Sequence, residues 1–193
     1  IKDYQKYSFG LTAVPFGLEV PEAIAYRKAL NIDFDGMALY YGWVKIKDTY
    51  NDAETWTTGI GKVGRKLAEM IDVYDALSPA GTDESGLGGQ LNSGFQITAV
   101  ERELSDADPG LGSDLEMLDQ NQINPIINDL AYGPLIYGDK TLQIELSDTS
   151  YIGTRRVYNV IIENILRQVL RRQEFKNNDF RHRAQAQSRT EDI

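Results

Sequence analysis

At 193 residues, 41% of them hydrophobic, the chain is long enough for one core of ordinary domain size and too apolar for a disordered one. It holds no cysteine, so disulfides, thiolate nucleophiles and zinc–cysteine sites are excluded, and a reducing compartment is compatible. Formal net charge is -9, split as eleven Lys and Arg against twenty-four Asp and Glu over residues 1–150 and nine against five over residues 151–193. An acidic body with a basic end argues against general nucleic-acid binding, which needs a basic surface to neutralise phosphates. It admits either a solvated charged face, the commoner case, or a basic face on one copy meeting the acidic body of the next.

Residues 1–20 read as irregular, interrupted by Gly10, Pro15 and Gly17, with Tyr4, Tyr7 and Phe9 available as anchors. Val20-Pro21-Glu22 opens a helix to about Leu30, since proline suits the first helical position and an acid the first turn. A turn over 31–36 leads into Met37-Ala38-Leu39-Tyr40-Tyr41, a strand buried on both faces, read as continuing through Ile46. Residues 48–56 read as a polar loop, with Thr57 or Thr58 capping a helix over 59–76 that carries Ile60, Val63 and Leu67 at helical spacing. Ser78-Pro79-Ala80-Gly81 ends it, and 82–90 is flexible by composition.

Residues 95–104 alternate as a strand does, and Asp108-Pro109-Gly110 forms a turn. Ser113 to Glu116 is a capping box for a short helix ending near Asn121. Residues 123–127 read as extended because Pro125 would break a helix, and 135–138 and 142–146 read as two more strands. Last comes one long helix over 151–175. Its Tyr158, Ile161, Ile162, Ile165 and Val169 fall on one stripe, which the spacing predicts to be buried for about 10 kcal/mol, with Glu163, Arg167, Arg171 and Arg172 opposite. The expected fold class is α/β, a mixed β-sheet flanked by α-helices, in a single domain over 1–193.

Catalytic machinery is sparse. Gly59-Ile60-Gly61-Lys62-Val63-Gly64 matches the dinucleotide-binding fingerprint letter for letter, which makes a dinucleotide-binding enzyme the rival reading. The fingerprint works when a strand delivers the glycines into a helix start, and the predicted polar loop before Gly59 does not do so; glycines that let a helix start sit close to a sheet are the simpler account. His182, the one histidine, lies in a polar segment and completes no triad. The acid pairs Asp72 and Asp75, Asp83 and Glu84, and Asp106 and Asp108 lack calcium-loop spacing. No catalytic residue, cofactor or metal site is assigned, and no apolar run or leader pattern points to a membrane. The start at Ile1 and the polar stretch 176–193 read as a chain cut from a longer protein.

Six stretches arrive in one order. They are Ala38-Leu39-Tyr40-Tyr41-Gly42-Trp43; Ser78-Pro79-Ala80-Gly81; Leu118-Asp119 through Ile123-Asn124; Ile136-Tyr137-Gly138-Asp139-Lys140-Thr141-Leu142; Tyr151-Ile152-Gly153-Thr154-Arg155-Arg156; and Phe175-Lys176-Asn177-Asn178. From residue 37 onward the sequence thereby resembles the tail sheath proteins of contractile bacteriophages, whose corresponding stretches run Ala-Leu-Tyr-Tyr-Pro-Trp, Pro-Ala-Gly, Leu-Asn-x-x-x-Ile-Asn, Val-Trp-Gly-Ala-Arg-Thr-Leu, Tyr-Ile-Asn-Val-Arg-Arg and Phe-Glu-Pro-Asn. Gly42 stands where that pattern has proline, Asp139 and Lys140 where it has Ala and Arg, and Asn177 where it has proline. Residues 1–36 are poorly covered, and the departures point to a distant, giant-phage type of relative.

The resemblance implies a structural subunit that stacks as hexameric rings around a tail tube and contracts to drive the tube through a host envelope, without a cofactor. The partners it implies are copies of the same chain, the tail tube protein, and the baseplate and tail terminator proteins, with no nucleic acid and no membrane. It implies a place in the virion tail after assembly in the host cytoplasm; the sheath of a non-phage contractile injection machine is the alternative. Arg155, Arg156, Arg167, Arg171 and Arg172 are the candidate subunit-interface residues, the first two also suited to positioning the helix start or to an ion pair.

Overall fold

The computed structural model describes residues 8–48, 50–74, 78–81, 91, 97–104, 113–174, 176 and 178–191. The expected turns over 82–90 and 106–112 lie outside the described residues. Strand β1 (Gly10–Ala13) precedes helix α1 (Val20–Leu30), and β2 (Met37–Tyr41) follows. Next come β3 (Trp43–Asp48), β4 (Ala53–Thr58), α2 (Ile60–Tyr74), β5 (Ile97–Val100) and α3 (Asp114–Gln120). The chain then forms β6 (Ile123–Asp129), β7 (Gly133–Ile136), α4 (Ile152–Asn164), a π-helical segment (Ile165–Leu170), α5 (Arg171–Gln173) and α6 (Phe180–Glu191).

The strands make two sheets. One has the order β1-β2-β6-β7, with β1, β2 and β6 parallel and β7 antiparallel; the other is antiparallel with the order β4-β3-β5. The expected mixed sheet flanked by helices is therefore present, with a second sheet beside it.

β2 is the organising strand, buried from Ala38 to Tyr41. Side chains alternate across a strand, so Ala38 and Tyr40 enter one cluster with Val63 and Leu67 of α2, Ile126 and Ile152. Leu39 and Tyr41 enter the other, with Val20 and Ala23 of α1 and Leu118 of α3. Both faces of the sheet are covered, as its parallel strands require.

Several expectations are corrected. The strand at Met37 does not continue to Ile46: Gly42 takes φ +110°, and the chain leaves the first sheet for the second. The expected polar loop over 48–56 is a hairpin turn plus the first four residues of β4, whose Thr-rich run fits an edge strand. Neither Thr57 nor Thr58 starts α2; both belong to β4, and the first helical bond runs from Val63 N–H to the Gly59 carbonyl (3.0 Å). The stretch 142–146 forms no strand, only an isolated bridge between Leu142 and Phe34.

Residues 10–13, read as irregular, form β1, because backbone pairing with β2 compensates for a weak local signal. The polar stretch after residue 176 contains α6, exposed along nearly its whole length and packed against the π-helical segment. Its start is held by Asp179, which accepts the His182 N–H (2.9 Å) and pairs with His182 Nδ1 (2.9 Å). Helix α1 begins and ends where the sequence places it, with Asn31 in the left-handed conformation just past its end. At α3, Ser113 Oγ accepts the Glu116 N–H (3.1 Å), but the Glu116 carboxylate accepts from Gln120 instead of closing the box.

Candidate functional site

Five of the six sequence motifs meet around the start of α4. Ile123-Asn124 lies on β6 with the Asn124 side chain fully buried, a position that demands partners for each of its polar atoms. Its amide nitrogen donates to the carbonyls of Leu39 (3.1 Å) and Lys140 (2.8 Å), and its oxygen accepts the Lys140 N–H (2.7 Å). One side chain thus ties β2, β6 and the segment after β7 together. Gly138 makes this possible, since a Cβ there would sit 2.6 Å from Asn124 Oδ1.

Lys140 bridges to Tyr151 in backbone pairing, and its ammonium lies 4.6 Å from the Tyr151 ring centre. Ser147 caps the 3-10 turn over Asp148–Ser150 that delivers the chain to α4. At the helix start the backbone of Gly153 rests on that of Ser78, where a Cβ would stand 3.0 Å from the Ser78 nitrogen.

The inward face of α4 is not the predicted stripe. Its buried residues are Ile152, Gly153, Arg156 and Asn159, themselves at helical spacing. Val157, Tyr158 (42% exposed), Val160 and Ile161 (40%) face outward, as does Leu170 (51%) further on. Ile162, Ile165 and Leu166 are half-buried, and of the stripe only Val169 is buried. The expected burial of the stripe is thus overturned within this chain. A buried arginine explains why: Arg156 donates to the Leu67 carbonyl of α2, and this bond sets the helix's rotation. The Arg171 N–H bonds back five residues to the Leu166 carbonyl, the spacing of a π turn, which also shifts side chains off a 3.6-residue period.

The five candidate arginines divide. Arg156 belongs to the domain's own interior, and Arg155 is paired with Asp35 (3.5 Å) at the helix start. Arg167 pairs with Glu163 one turn before it, and Arg167, Arg171 and Arg172 all reach solvent. Sequence reasoning named Asn124 and Asp139 only as motif positions, with no role, and passed over Asn159. The signal available was a polar residue inside an apolar strand run, as at Ile123-Asn124-Pro125-Ile126.

Asp139 lies against the α4 start, where it accepts bonds from the Ser78 hydroxyl and the Gly153 N–H. Burial outweighs these bonds and the nearby Arg156 and Lys140, and pushes its carboxyl up to about 6. Burial likewise pushes the Tyr40 hydroxyl, close to Asp139 and Arg156, well above the usual tyrosine range. It pulls the Arg156 guanidinium below its ordinary value, against the opposing pull of Tyr40 and Asp139.

The glycine run 59–64 has a packing role. A strand does precede it, contrary to the loop expectation, but β4 is the edge of an antiparallel sheet, not the parallel strand of a dinucleotide fold. A Cβ at Gly59 would fall 2.2 Å from Ile126 Cδ1, so glycine lets α2 begin against the sheet. The adjoining concavity of about 330 Å³ is lined by Thr57, Thr58, Lys62 and Arg65 among others. Among the described residues, no three His, Cys, Asp or Glu side chains are grouped to hold a metal, and no helix is long and apolar enough to cross a membrane.

No family model matches the chain. It is 24% identical over 150 residues to the tail sheath protein of Salmonella phage ViI, an alignment covering 77% of this chain and 22% of that protein. In fold it is similar to a chain of the anti-feeding prophage baseplate solved with six-fold symmetry, at TM-score 0.73 and 16% identity over 99% of this chain and 45% of that one. It is also similar to a chain of the PVC sheath complex, from an extracellular contractile injection system in the contracted state, at TM-score 0.70 and 17% identity over 95% and 46%. A chain of the contracted anti-feeding prophage helical sheath gives TM-score 0.68 at 16% identity over 99% and 46%. The fold is that of contractile sheath subunits, and the resemblance to the tail sheath family carried by the six motifs stands. These relatives are structural proteins, not enzymes. The chain spans less than a quarter of the phage protein and less than half of the structural neighbours.

Proposed function

We propose that this chain is the core of a structural sheath subunit, which polymerises as stacked hexameric rings around a tail tube and contracts to push the tube through a target envelope. The observation that carries the reading is the outward apolar face of α4, mounted on a buried polar base. A contiguous exposed apolar strip of this kind marks a surface suited to contact with another protein surface. The base keeps the helix rigid while the face is offered, which suits a lattice whose contacts rearrange while each core stays intact.

The partners in this reading are further copies of the same chain, a tube protein, and baseplate and terminator proteins. Arg167, Arg171 and Arg172 flank the face and suit an acidic neighbour. Resemblance to both a phage sheath and injection-system sheaths supports a contractile machine of either kind, in a virion tail or an injection particle. Electron microscopy of the protein, as this chain and with any sequence its gene adds, tests the proposal. Tubes or rings are expected, and solitary particles at every concentration and salt tried would overturn it.

A further inference from the structure

The N-terminus of α4 lacks a cap of its own. Tyr151 stands at the capping position and offers no side-chain hydrogen bond, so the first helical N–H groups need acceptors from elsewhere. Asp139 supplies two. Its carbonyl accepts the Ile152 N–H (3.0 Å), and its carboxylate accepts the Gly153 N–H. The same carboxylate takes the Ser78 hydroxyl, which joins the turn after α2 to the site. Its Oδ1 has no hydrogen-bond partner although buried, and the Tyr40 hydroxyl, also buried, has none either.

We propose that Asp139 is the cap of α4, delivered from outside the helix's own segment, and that protonation of its carboxyl couples the seating of α4 on the body to pH. The groups facing it are Tyr40 from β2, Ser78 from the turn after α2, Arg156 and the Gly153 N–H from α4, and the adjacent Lys140. Tyr40, pushed up by burial, stays neutral through the range in which Asp139 titrates, so one proton changes hands. In the unfolded chain this carboxyl returns to its ordinary value of 3.8, below the folded value of about 6. The folded state therefore binds the proton more tightly. The stabilisation is full below the lower value and is lost as pH rises through the upper one.

The test is the urea midpoint of the whole chain from pH 4.5 to 7.5, for the wild type and for Asp139→Asn, which keeps an acceptor for Gly153 but does not titrate. The unfolding constant of the wild type should rise about 25-fold relative to the variant over that interval. An unchanged difference between the two at every pH overturns the proposal. If the variant fails to fold, NMR titration of the wild type decides. A carboxyl midpoint near pH 6, with the Gly153 amide shift moving alongside, is expected; a midpoint near 4, or a stationary Gly153 amide, overturns it.

Discussion

Asn124 and Gly138 show how much a single pair of residues can decide. The Asn124 amide closes three hydrogen bonds in a space that opens only because Gly138 has no side chain. Asn124→Ala should cost on the order of 3 kcal/mol, because it strands buried backbone groups on Leu39 and Lys140, and a urea midpoint would register it. Gly42 is a second case. Its φ of +110° is closed to proline, the residue that the sheath pattern carries there, so Gly42→Pro should destabilise by more than about 1 kcal/mol. A melting temperature unchanged by that substitution would mean the turn can be rebuilt.

At the scale of the element, α4 is a helix whose outward side is more apolar than its inward side. Ile161→Asp should leave the melting temperature nearly unchanged, within about 0.5 kcal/mol, because the side chain already meets water. Ile126→Ala should cost about 2–5 kcal/mol, since that side chain is buried between the sheet and the start of α2. Equal effects from the two would show that α4 is covered in solution. Helices α1 and α3 are capped by residues of their own first turn, at Glu19, whose N–H donates to the Glu22 carboxylate (3.0 Å), and at Ser113, whereas α4 borrows its cap from a segment twelve residues earlier in the chain.

The whole molecule carries its charge unevenly, acidic over residues 1–150 and basic from 151 onward. Should copies meet through these unlike surfaces, Arg171→Glu combined with Arg172→Glu should leave the fold intact and impair assembly, since both side chains reach solvent. Assembly of the wild type should weaken between 0.05 M and 0.5 M salt, as screening shortens the reach of exposed charges. Light scattering and negative-stain images measure both effects, and assembly indifferent to the paired substitution would remove these arginines from the interface.

Legible in the residues alone were the two-sided burial of β2, the bounds of α1 and α3, the helical spacing of α2 and the order of motifs that resembles the sheath family. Each of these rests on local periodicity, on a cap, or on a short run of residues read in line. Long-range packing was needed to show that Gly42 divides two sheets, that residues 53–58 form a strand, and that α4 turns Arg156 and Asn159 inward. Those outcomes depend on partners far away in the chain: β3 for β4, the Leu67 carbonyl for Arg156, and Asp139 for the helix start. A hydrophobic stripe states that a face seeks cover, but a buried hydrogen bond to a distant carbonyl fixes which face the body receives.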